Sequence, residues 1–354
     1  MIIDRYIARV ILNGTLMTLM VFGALFAFMD FVRSLDSVGT HNYGMPQALL
    51  YVLLNLPQRL YQIFPSSMLV GGLLSLGSLA SNSELVVMRA AGISIARIVR
   101  ATLQAGFILV VIVVLLGEFV APIAVSKAKS LQAQWLNERV LLSYGKDIWS
   151  KDGNSFVHIG NVLPDAQLRD VSVYDLNQQR ELVRTTHADQ VQYNDGQWYM
   201  TGVVQSHVST KGVIVTHSQH VTRPAMVRPE LFEVLALEPS DMSASELLDY
   251  SGYLNQNDLE SDSFRLAFWV KVFTPLTCMG MLLLTIPLVL SSSARSGGVG
   301  QRIMIGVLVG VGFFIFNRAF NQFGIIYGLY PVLSAALPSI LVIFTAIFMA
   351  KRVR

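Results

Sequence analysis

The sequence has 354 residues, of which 53% are hydrophobic and only 14% are charged. With a mean hydropathy of +0.52, this composition is typical of an integral membrane protein and excludes an ordinary soluble enzyme. The net charge of +3 conceals a segregation, because residues 126–262 hold 11 basic and 18 acidic side chains and the remainder holds 15 and 5. One polar stretch therefore stands between two apolar, basic ones.

Six apolar runs are long enough to cross a hydrocarbon core of about 30 Å. Three precede the polar stretch and three follow it, at about Val10–Met29, Leu56–Ala80, Ala101–Val125, Phe264–Leu290, Ile303–Phe320 and Pro331–Ala350. The first run is too long for the hydrophobic region of a secretory signal peptide, and no small-residue cleavage site follows it. Six spans place both termini on one side of the membrane.

Basic residues predict which side that is, because positive charge is enriched in cytoplasmic loops. The short segments on one side carry little basic charge beyond Arg33. Those on the other side carry Arg5, Arg9, Arg89, Arg97, Arg100, Arg295, Arg302, Lys351, Arg352 and Arg354. We therefore expect cytoplasmic termini and a polar domain at 126–262 outside the inner membrane, in the periplasm.

The polar domain is predicted to consist mostly of β-strands. Partial alternation rich in Val, Tyr and Trp occurs at 155–162, 171–176, 190–194, 197–208 and 213–221. Turn signals stand between strands at Asp152-Gly153, Asp195-Gly196 and Lys211-Gly212. We expect a sandwich of about eight short strands.

Two helices are predicted to flank these strands, over Ser126–Leu142, continuing the third span, and over Ser243–Leu254. Ser243 and Glu246 have the spacing of a capping box, in which each side chain bonds the backbone N–H of the other residue.

Sequence motifs for catalysis or metal binding are missing. The patterns GxxxxGK[ST], GxSxG and HExxH do not occur. His217 and His220, with His207 nearby, are favoured as surface residues, because positions three apart on a strand point to opposite faces. Asp30 and Glu118, near the outer ends of spans one and three, leave a proton relay open, but such carboxylates usually only reach headgroup water. We expect no enzyme activity, no metal and no cofactor in this chain.

Basic residues near the outer ends of the spans form a candidate site for a phosphorylated amphiphile. They are Arg33, Arg59, Lys127, Lys129, Lys271 and Arg318. At one depth they would form a ring that pairs with phosphate through charge-assisted hydrogen bonds. Snorkelling to phospholipid headgroups explains any single one equally well. Lys271 is the hardest to explain in that way, because an ammonium group in hydrocarbon is costly unless it faces a cavity or a partner.

Phenylalanines below this ring are candidates for an acyl-chain cavity. The residues concerned are Phe26 and Phe316, together with Phe22, Phe313 and Phe320. Lipid-facing or core positions explain each of them equally well.

The stretch Ser81–Arg100, between spans two and three, predicts a short amphipathic helix at the membrane surface. Ser83 is a candidate N-cap, and Glu84 lies in the first turn, where the helix dipole favours an anion. An apolar stripe is formed by Leu85, Val86, Met88 and Ala90, and the helix is broken at Gly92 and Ser94. An ordinary basic loop remains an alternative.

Several strings in one order carry a resemblance to a known family. They are DRYI at 4–7, SELVVMRAAG at 83–92, GEFVAP at 117–122, WSKDGNSFVHI at 149–159 and FWVKVFTPL at 268–276. Over nearly its whole length the chain resembles the LptG branch of the LptF/LptG family of lipopolysaccharide export permeases. The LptF branch matches these strings less well.

The resemblance implies a membrane α-helical fold with six transmembrane helices and an inserted all-β periplasmic jellyroll-like domain. The helices would occupy 1–125 and 263–354, and the β domain 126–262. The implied function is that of a non-catalytic ABC transporter permease in the bacterial inner membrane. Its implied partners are LptF, two copies of the LptB ATPase that bind ATP and magnesium, LptC and then LptA, with lipopolysaccharide as substrate and no nucleic acid. In this family, spans one and five of LptF and LptG form the lateral gates.

The resemblance also implies roles for individual residues. The segment that inserts into a groove on the ATPase would contain Ser83, Glu84, Leu85, Met88, Arg89 and Ala90. Family members can carry a lysine near the outer end of span one that contacts lipopolysaccharide phosphates. Asp30 stands there instead, and Arg33 is predicted to take over because positions i and i+3 share a helix face. The alternatives are the paralogous LptF subunit, another ABC-type lipid- or lipoprotein-releasing permease, and a membrane-anchored scaffold or sensor.

Overall fold

The computed structural model describes residues 2–40, 42–136, 148–152, 154–163, 167–194, 197–209, 212–224, 238–256, 259–290 and 299–352. It divides into two compact units. The helical unit comprises Met1–Val38, Ala48–Ala128 and Asp262–Arg354. The β-rich unit comprises Gly39–Gln47 and Lys129–Ser261.

Helices account for most of the described residues. In chain order they are α1 (Ile2–Ser34), α2 (Met45–Ser81), α3 (Glu84–Ala90), α4 (Ile95–Leu115), α5 (Ala121–Trp135), α6 (Ala244–Gln256), α7 (Asp262–Leu290), α8 (Val299–Ile326) and α9 (Pro331–Arg352). A π-helical turn at Leu116–Val120 joins α4 to α5, so that the helix continues without a break.

Within the described residues, six helical spans are long and apolar enough to cross a membrane, which agrees with the number predicted. Their ends differ from the prediction, because the first begins at Ile2 rather than Val10 and the third continues to Gln132. Hydropathy detects only the part of a helix that lies in hydrocarbon, whereas backbone hydrogen bonding continues the helix into the polar region.

The second span forms the core of the helical unit. In its most apolar window 72% of residues are buried against other helices, compared with 11% in the fifth span. Phe64 and Met68 of α2 are fully buried and belong to one cluster with Leu109 of α4 and Met281 of α7. The fifth span, in α8, therefore lies at the periphery of this unit.

Helices α1 and α2 cross with their backbones in contact. A β-carbon on Gly71 would lie 2.7 Å from the backbone nitrogen of Thr15 and 2.8 Å from the carbonyl oxygen of Gly14. Close by, the Ser75 hydroxyl donates to the carbonyl oxygen of Val10 at 3.0 Å. Small residues and interhelical hydroxyl bonds are the usual means by which helices associate in a membrane. Only glycine fits at position 71.

The part of the β-rich unit that the structure describes contains one antiparallel sheet, whose six strands follow one another in sequence order. They are β1 (Ile148–Asp152), β2 (Ser155–Leu163), β3 (Gln167–Leu176), β4 (Leu182–Asn194), β5 (Gln197–Ser209) and β6 (Gly212–Pro224). Hairpins close at the pairs Asp152↔Ser155, Asn194↔Gln197 and Ser209↔Gly212. All three predicted turn signals therefore lie between paired strands.

The strands differ from the prediction in number and length. Six strands in a single sheet are described, rather than a sandwich of about eight. Strand β4 begins at Leu182, eight positions before the predicted segment. The buried residues in this earlier part are Thr186 and Ala188, and with such small side chains the apolar alternation is not visible in the sequence. A jellyroll remains a prediction.

Asp175 shows that the sheet is strongly curled. Its carboxylate accepts hydrogen bonds from Ser155 Oγ at 2.6 Å, Arg184 Nε at 2.7 Å and Arg223 Nη2 at 3.2 Å. Arg223 lies on β6, three strands from β3 and nine residues along β6 from Ile214, the residue in register with Asp175. In a flat sheet it would be about 14 Å away across the strands and about 30 Å away along them. The sheet must fold over its own face to bring these groups together.

Replacement of Asp175 by asparagine is expected to lower the stability of the β-rich unit by about 1–3 kcal/mol, because two arginines lose a charged acceptor with two oxygens. Burial opposes ionisation, but the Ser155 and Arg184 hydrogen bonds and the Arg223 charge outweigh it and lower the pKa of Asp175. The difference in stability between wild type and the asparagine variant should be fully present above the ordinary carboxyl pKa of about 3.9. It should be lost as pH falls below that value, through the lowered pKa of the folded protein.

Thermal unfolding followed by tryptophan fluorescence at several pH values measures this effect. Asp189→Asn is the control, because the side chain of Asp189 is 73% exposed and exposed ion pairs contribute little. Equal destabilisation by the two substitutions would contradict the prediction.

The two predicted flanking helices are present where the structure describes them. Ser243 and Glu246 form the predicted capping box, with Ser243 N donating to Glu246 Oε2 at 2.7 Å and Glu246 N donating to Ser243 Oγ at 3.2 Å. The helix after the third span runs to Trp135. Positions 137–142 of that prediction lie outside the described residues.

Candidate functional site

Two groups of side chains lie at opposite ends of the helical unit. We call the end that carries α3 the inner end, and the opposite end the outer end. Arg59 on α2 is about 33 Å along the helix axis from Ser81, and Lys271 on α7 is about 28 Å from Leu290. Both therefore lie near the outer boundary of a hydrocarbon core about 30 Å thick.

At the outer end, Asp30 joins α1 to α2. Arg59 donates from Nε to Asp30 Oδ2 at 2.6 Å and from Nη2 to Oδ1 at 3.2 Å. Arg33 Nη1 lies 3.6 Å from Oδ1, and its side chain is 71% exposed, compared with 12% for Asp30. Asp30 stands where members of the resembled family can carry a phosphate-binding lysine. In this chain it instead forms an ion pair between two spans. Arg33 is the more exposed cation of this group, because the Arg59 side chain is 38% exposed. We call Asp30, Arg33 and Arg59 the outer cluster.

Lys271 has partners on two other spans. Its Nζ donates to the carbonyl oxygen of Gly117 at 2.7 Å and lies 5.5 Å from the centroid of the Tyr61 ring. Gly117 belongs to the π-helical turn, and such turns displace carbonyls from their usual helical partners. The Lys271 ammonium group was expected to face a cavity or a partner, and it has partners in Gly117 and Tyr61. These contacts connect spans two, three and four.

The other predicted substrate-binding residues are more dispersed. Lys127 on α5 and Arg318 on α8 are exposed. Lys129, in the β-rich unit, pairs with Asp241 Oδ2 at 3.0 Å. Phe26 packs against the helical core, whereas Phe316 is 40% exposed and stacks on Phe320 at 5.8 Å between centroids. In the helical unit the structure thus brings together Arg33 and Arg59, through Asp30.

At the inner end, α3 is the helix predicted between spans two and three. Ser83 stands at its N-cap with a φ of 60°, and its side chain makes no capping bond. Ser83 is therefore the N-cap residue as predicted, but its side chain does not cap the helix, because in this left-handed conformation the hydroxyl does not reach the first turn. The helix ends at Ala90, and Gly92, two residues later, has a φ of +84°, which favours glycine. Ser94 caps α4 by accepting from Arg97 N.

The predicted apolar stripe of α3 divides between two faces. Leu85 is 5% exposed, and Met88, one turn later, packs against the same core. Val86 and Val87 are 59% and 65% exposed, and Ala90 is exposed with them. The helix is therefore anchored by Leu85 and Met88 and presents a second apolar face outward, as protein-binding surfaces do.

Two contacts that sequence reasoning missed connect this region to α1. The Tyr6 hydroxyl donates to Glu84 Oε2 at 2.8 Å. Arg97 donates from Nε and Nη2 to the two carboxylate oxygens of Asp4 at 3.0 and 3.1 Å. The only available signal was the DRYI string, which carries Asp4 and Tyr6 but does not indicate their partners.

Comparison with known proteins agrees with this arrangement of spans and sheet. The model of the family "Lipopolysaccharide export system permease LptF/LptG" matches residues 5–352. The chain is 32% identical to lipopolysaccharide export system permease protein LptG of Haemophilus influenzae over 354 residues, covering 99% of each protein. It is 32% identical to LptG of Escherichia coli K12 over 342 residues, covering 96% of this chain and 94% of the relative. The chain belongs to the LptF/LptG family of lipopolysaccharide export permeases.

Proposed function

We propose that this chain is an LptG-type subunit that extracts lipopolysaccharide from the inner membrane, driven by a separate ATPase. The observation that carries the proposal is the pairing of two surfaces at opposite ends of one helical unit. An outward apolar face on α3 suits a protein groove, and the outer cluster, with the exposed Arg33, suits an anionic headgroup. A scaffold or sensor needs no such combination.

In this proposal the inner end receives the energy of ATP hydrolysis. The segment formed by Ser83, Glu84, Leu85, Met88, Arg89 and Ala90 docks on LptB through its outward residues, while Leu85 and Met88 hold it to the spans. Two LptB subunits bind ATP and magnesium, and LptF supplies the second permease half. This chain itself contributes no cofactor.

At the outer end, Arg33 is the first phosphate contact, because it is the more exposed cation of the outer cluster. A hydrogen bond to a charged group contributes about 1.5–3 kcal/mol, whereas each buried acyl methylene contributes about 0.8 kcal/mol. The phosphates therefore orient the substrate, and its acyl chains supply most of the affinity. Phe26 and Phe316 are the proposed acyl contacts, and Lys127, Lys129 and Arg318 are proposed secondary cations.

The β-rich unit is proposed to lie in the periplasm and to pass the substrate to LptC and then LptA. In the described sheet β1 and β6 are the edge strands, and β6 exposes Val213, Ile214 and Val215. Unpaired backbone groups at a sheet edge are available to another sheet. A partner sheet of the same kind would extend this one.

Affinity purification in mild detergent, with identification of bound lipid and protein, tests the proposed function. We expect lipopolysaccharide, an ATPase with Walker motifs and a second permease chain to copurify. Recovery of the chain with ordinary phospholipid and no ATPase would favour a scaffold or sensor.

In the same experiment, Arg33→Gln together with Lys271→Gln is expected to lower copurified lipopolysaccharide about tenfold, since a loss near 1.5 kcal/mol corresponds to that factor. Complex assembly should survive. The single variants separate two roles, because Arg33→Gln removes only the more exposed cation and Lys271→Gln also releases the Gly117 carbonyl.

The matched control is Arg180→Gln, which removes an exposed arginine of the β-rich unit. Unchanged lipopolysaccharide occupancy in the double variant would show that neither cation binds the phosphates, so that Arg33 only snorkels to phospholipid headgroups and Lys271 serves only its contact with Gly117.

A further inference from the structure

The first turn of α1 is fastened to both ends of the segment that contains α3. Tyr6 bonds Glu84, the first residue of α3. Asp4 bonds Arg97, in the first turn of α4 and beyond the end of α3. One short piece of α1 therefore bridges the whole segment from Glu84 to Arg97. We call these two contacts the inner clamp.

Apolar packing lies beneath the inner clamp. Ile7, next to Tyr6, is 1% exposed and shares a core cluster with Leu85 and Met88 of α3. The clamp residues are themselves partly exposed, with 46% exposure for the Arg97 side chain. Exposed ion pairs contribute little to stability, but a two-point arginine–carboxylate pair has a defined direction. The clamp is therefore suited to prevent α3 from sliding along α1 rather than to hold the fold together.

The contact of α1 with α2 at Gly71 provides a point about which α1 can turn. Between Tyr6 and Thr15 there is about 13 Å of helix, and between Thr15 and Asp30 about 22 Å. A rigid α1 that turns at this crossing would move its outer end in the opposite direction, by about 1.7 times the displacement of its inner end. That outer end is held to α2 by the ion pair of Asp30 and Arg59.

We propose that α1 is a lever, and that Asp4 and Tyr6 are the positioning residues through which movement of α3 enters it. Displacement of α3 pulls the inner end of α1 through the clamp, α1 turns at Gly71, and the pair Asp30–Arg59 separates. This inference rests on the proposed function, because it takes the force on α3 from an ATPase. It adds a route into span one from α3 and from Arg97 in the first turn of α4, which does not pass through the remaining length of α2 or α4.

The test uses the complete transporter in proteoliposomes and measures lipopolysaccharide released per ATP hydrolysed. Asp4→Asn combined with Tyr6→Phe is expected to lower this ratio at least about fivefold, a usual size for coupling between sites. ATPase rate, thermal stability and bound lipopolysaccharide should stay near wild type. Arg100→Gln is the matched control, because Arg100 is exposed one turn after Arg97 on α4.

Two further measurements separate positioning from a merely structural role. Exchange of the charges, Asp4→Arg with Arg97→Asp, should restore much of the coupling that either change alone removes. Spin labels at Phe28→Cys and Leu53→Cys report the outer ends of α1 and α2, because both residues are exposed and Cys278 is buried. Trapping with an ATP analogue should change the distance between the labels in wild type and not in the clamp variant.

An unchanged coupling ratio in the clamp variant, with an unchanged label distance response, would overturn the lever while leaving the proposed function intact. Failure of the wild-type transporter to release lipopolysaccharide with ATP would instead remove the proposed function, and the lever with it.

Discussion

Replacement of Gly71 by leucine is expected to prevent most of the protein from folding correctly in the membrane. The new side chain would have to enter between two backbones, since even a β-carbon would come within 2.8 Å of Gly14 and Thr15 main-chain atoms. Backbone atoms cannot rotate aside as a flexible side chain can, so the two helices must separate. Overpacking of a core typically costs about 1–3 kcal/mol, and here we expect the upper end or more, compared with a total stability of about 5–15 kcal/mol.

The yield of monodisperse protein after detergent extraction measures this effect. Gly312→Leu is the control, because a β-carbon at Gly312 on α8 would meet nothing within 4 Å. Gly71→Ala should give an intermediate yield. Equal recovery of the leucine variants at 71 and 312 would contradict the close crossing of α1 and α2.

Replacement of Glu84 by alanine is expected to abolish most ATP-driven transport while leaving membrane insertion intact. Glu84 begins α3 and accepts from Tyr6, so its loss affects both the surface offered to the ATPase and the inner clamp. We expect a decrease of about tenfold or more in lipopolysaccharide release, within the usual range for loss of coupling between two sites. Because Leu85 and Met88 keep their core contacts, α3 itself should remain in place.

Release from proteoliposomes measures the effect of Glu84→Ala, with Tyr6→Phe as a comparison that removes only the contact within the chain. Glu181→Ala, at an exposed position of the β-rich unit, is the control. Wild-type release from Glu84→Ala would show that this carboxylate does not transmit force.

The six spans were predictable because hydropathy reports the same desolvation that holds a helix in a bilayer. The strands of the β-rich unit were predictable where large residues alternate, as at Trp198 and Met200, which are both buried. They were missed where small residues fill the inner face, as at Thr186 and Ala188. Local composition therefore located the elements better than it located their ends.

The faces of α3 were not predictable, because four apolar residues within one and a half turns cannot all lie on one side. Sequence alone does not say whether Leu85 or Val86 meets the core; the neighbouring spans decide this. The left-handed conformation of Ser83 likewise depends on how the chain leaves α2. Helix propensity correctly indicated a helix with Glu84 in its first turn, but not that the Ser83 side chain makes no capping hydrogen bond.

The contacts of the candidate site join residues that are distant in sequence, which explains why charge patterns alone did not reveal them. Asp30 and Arg59 are 29 positions apart, and Tyr6 and Glu84 are 78 apart. Lys271 and Gly117 are separated by 154 positions. No periodicity connects such pairs. Sequence reasoning found the cations but not the acceptors that decide which of them are accessible.

The central claim, that this chain extracts lipopolysaccharide when a separate ATPase hydrolyses ATP, is tested most directly by reconstitution. The chain, its second permease half and the ATPase are placed in liposomes containing lipopolysaccharide, and transfer to a soluble acceptor domain is followed by crosslinking. The account predicts transfer that needs ATP, an intact Walker lysine in the ATPase and this chain. Transfer of equal rate without ATP, or from liposomes that lack this chain, would contradict it.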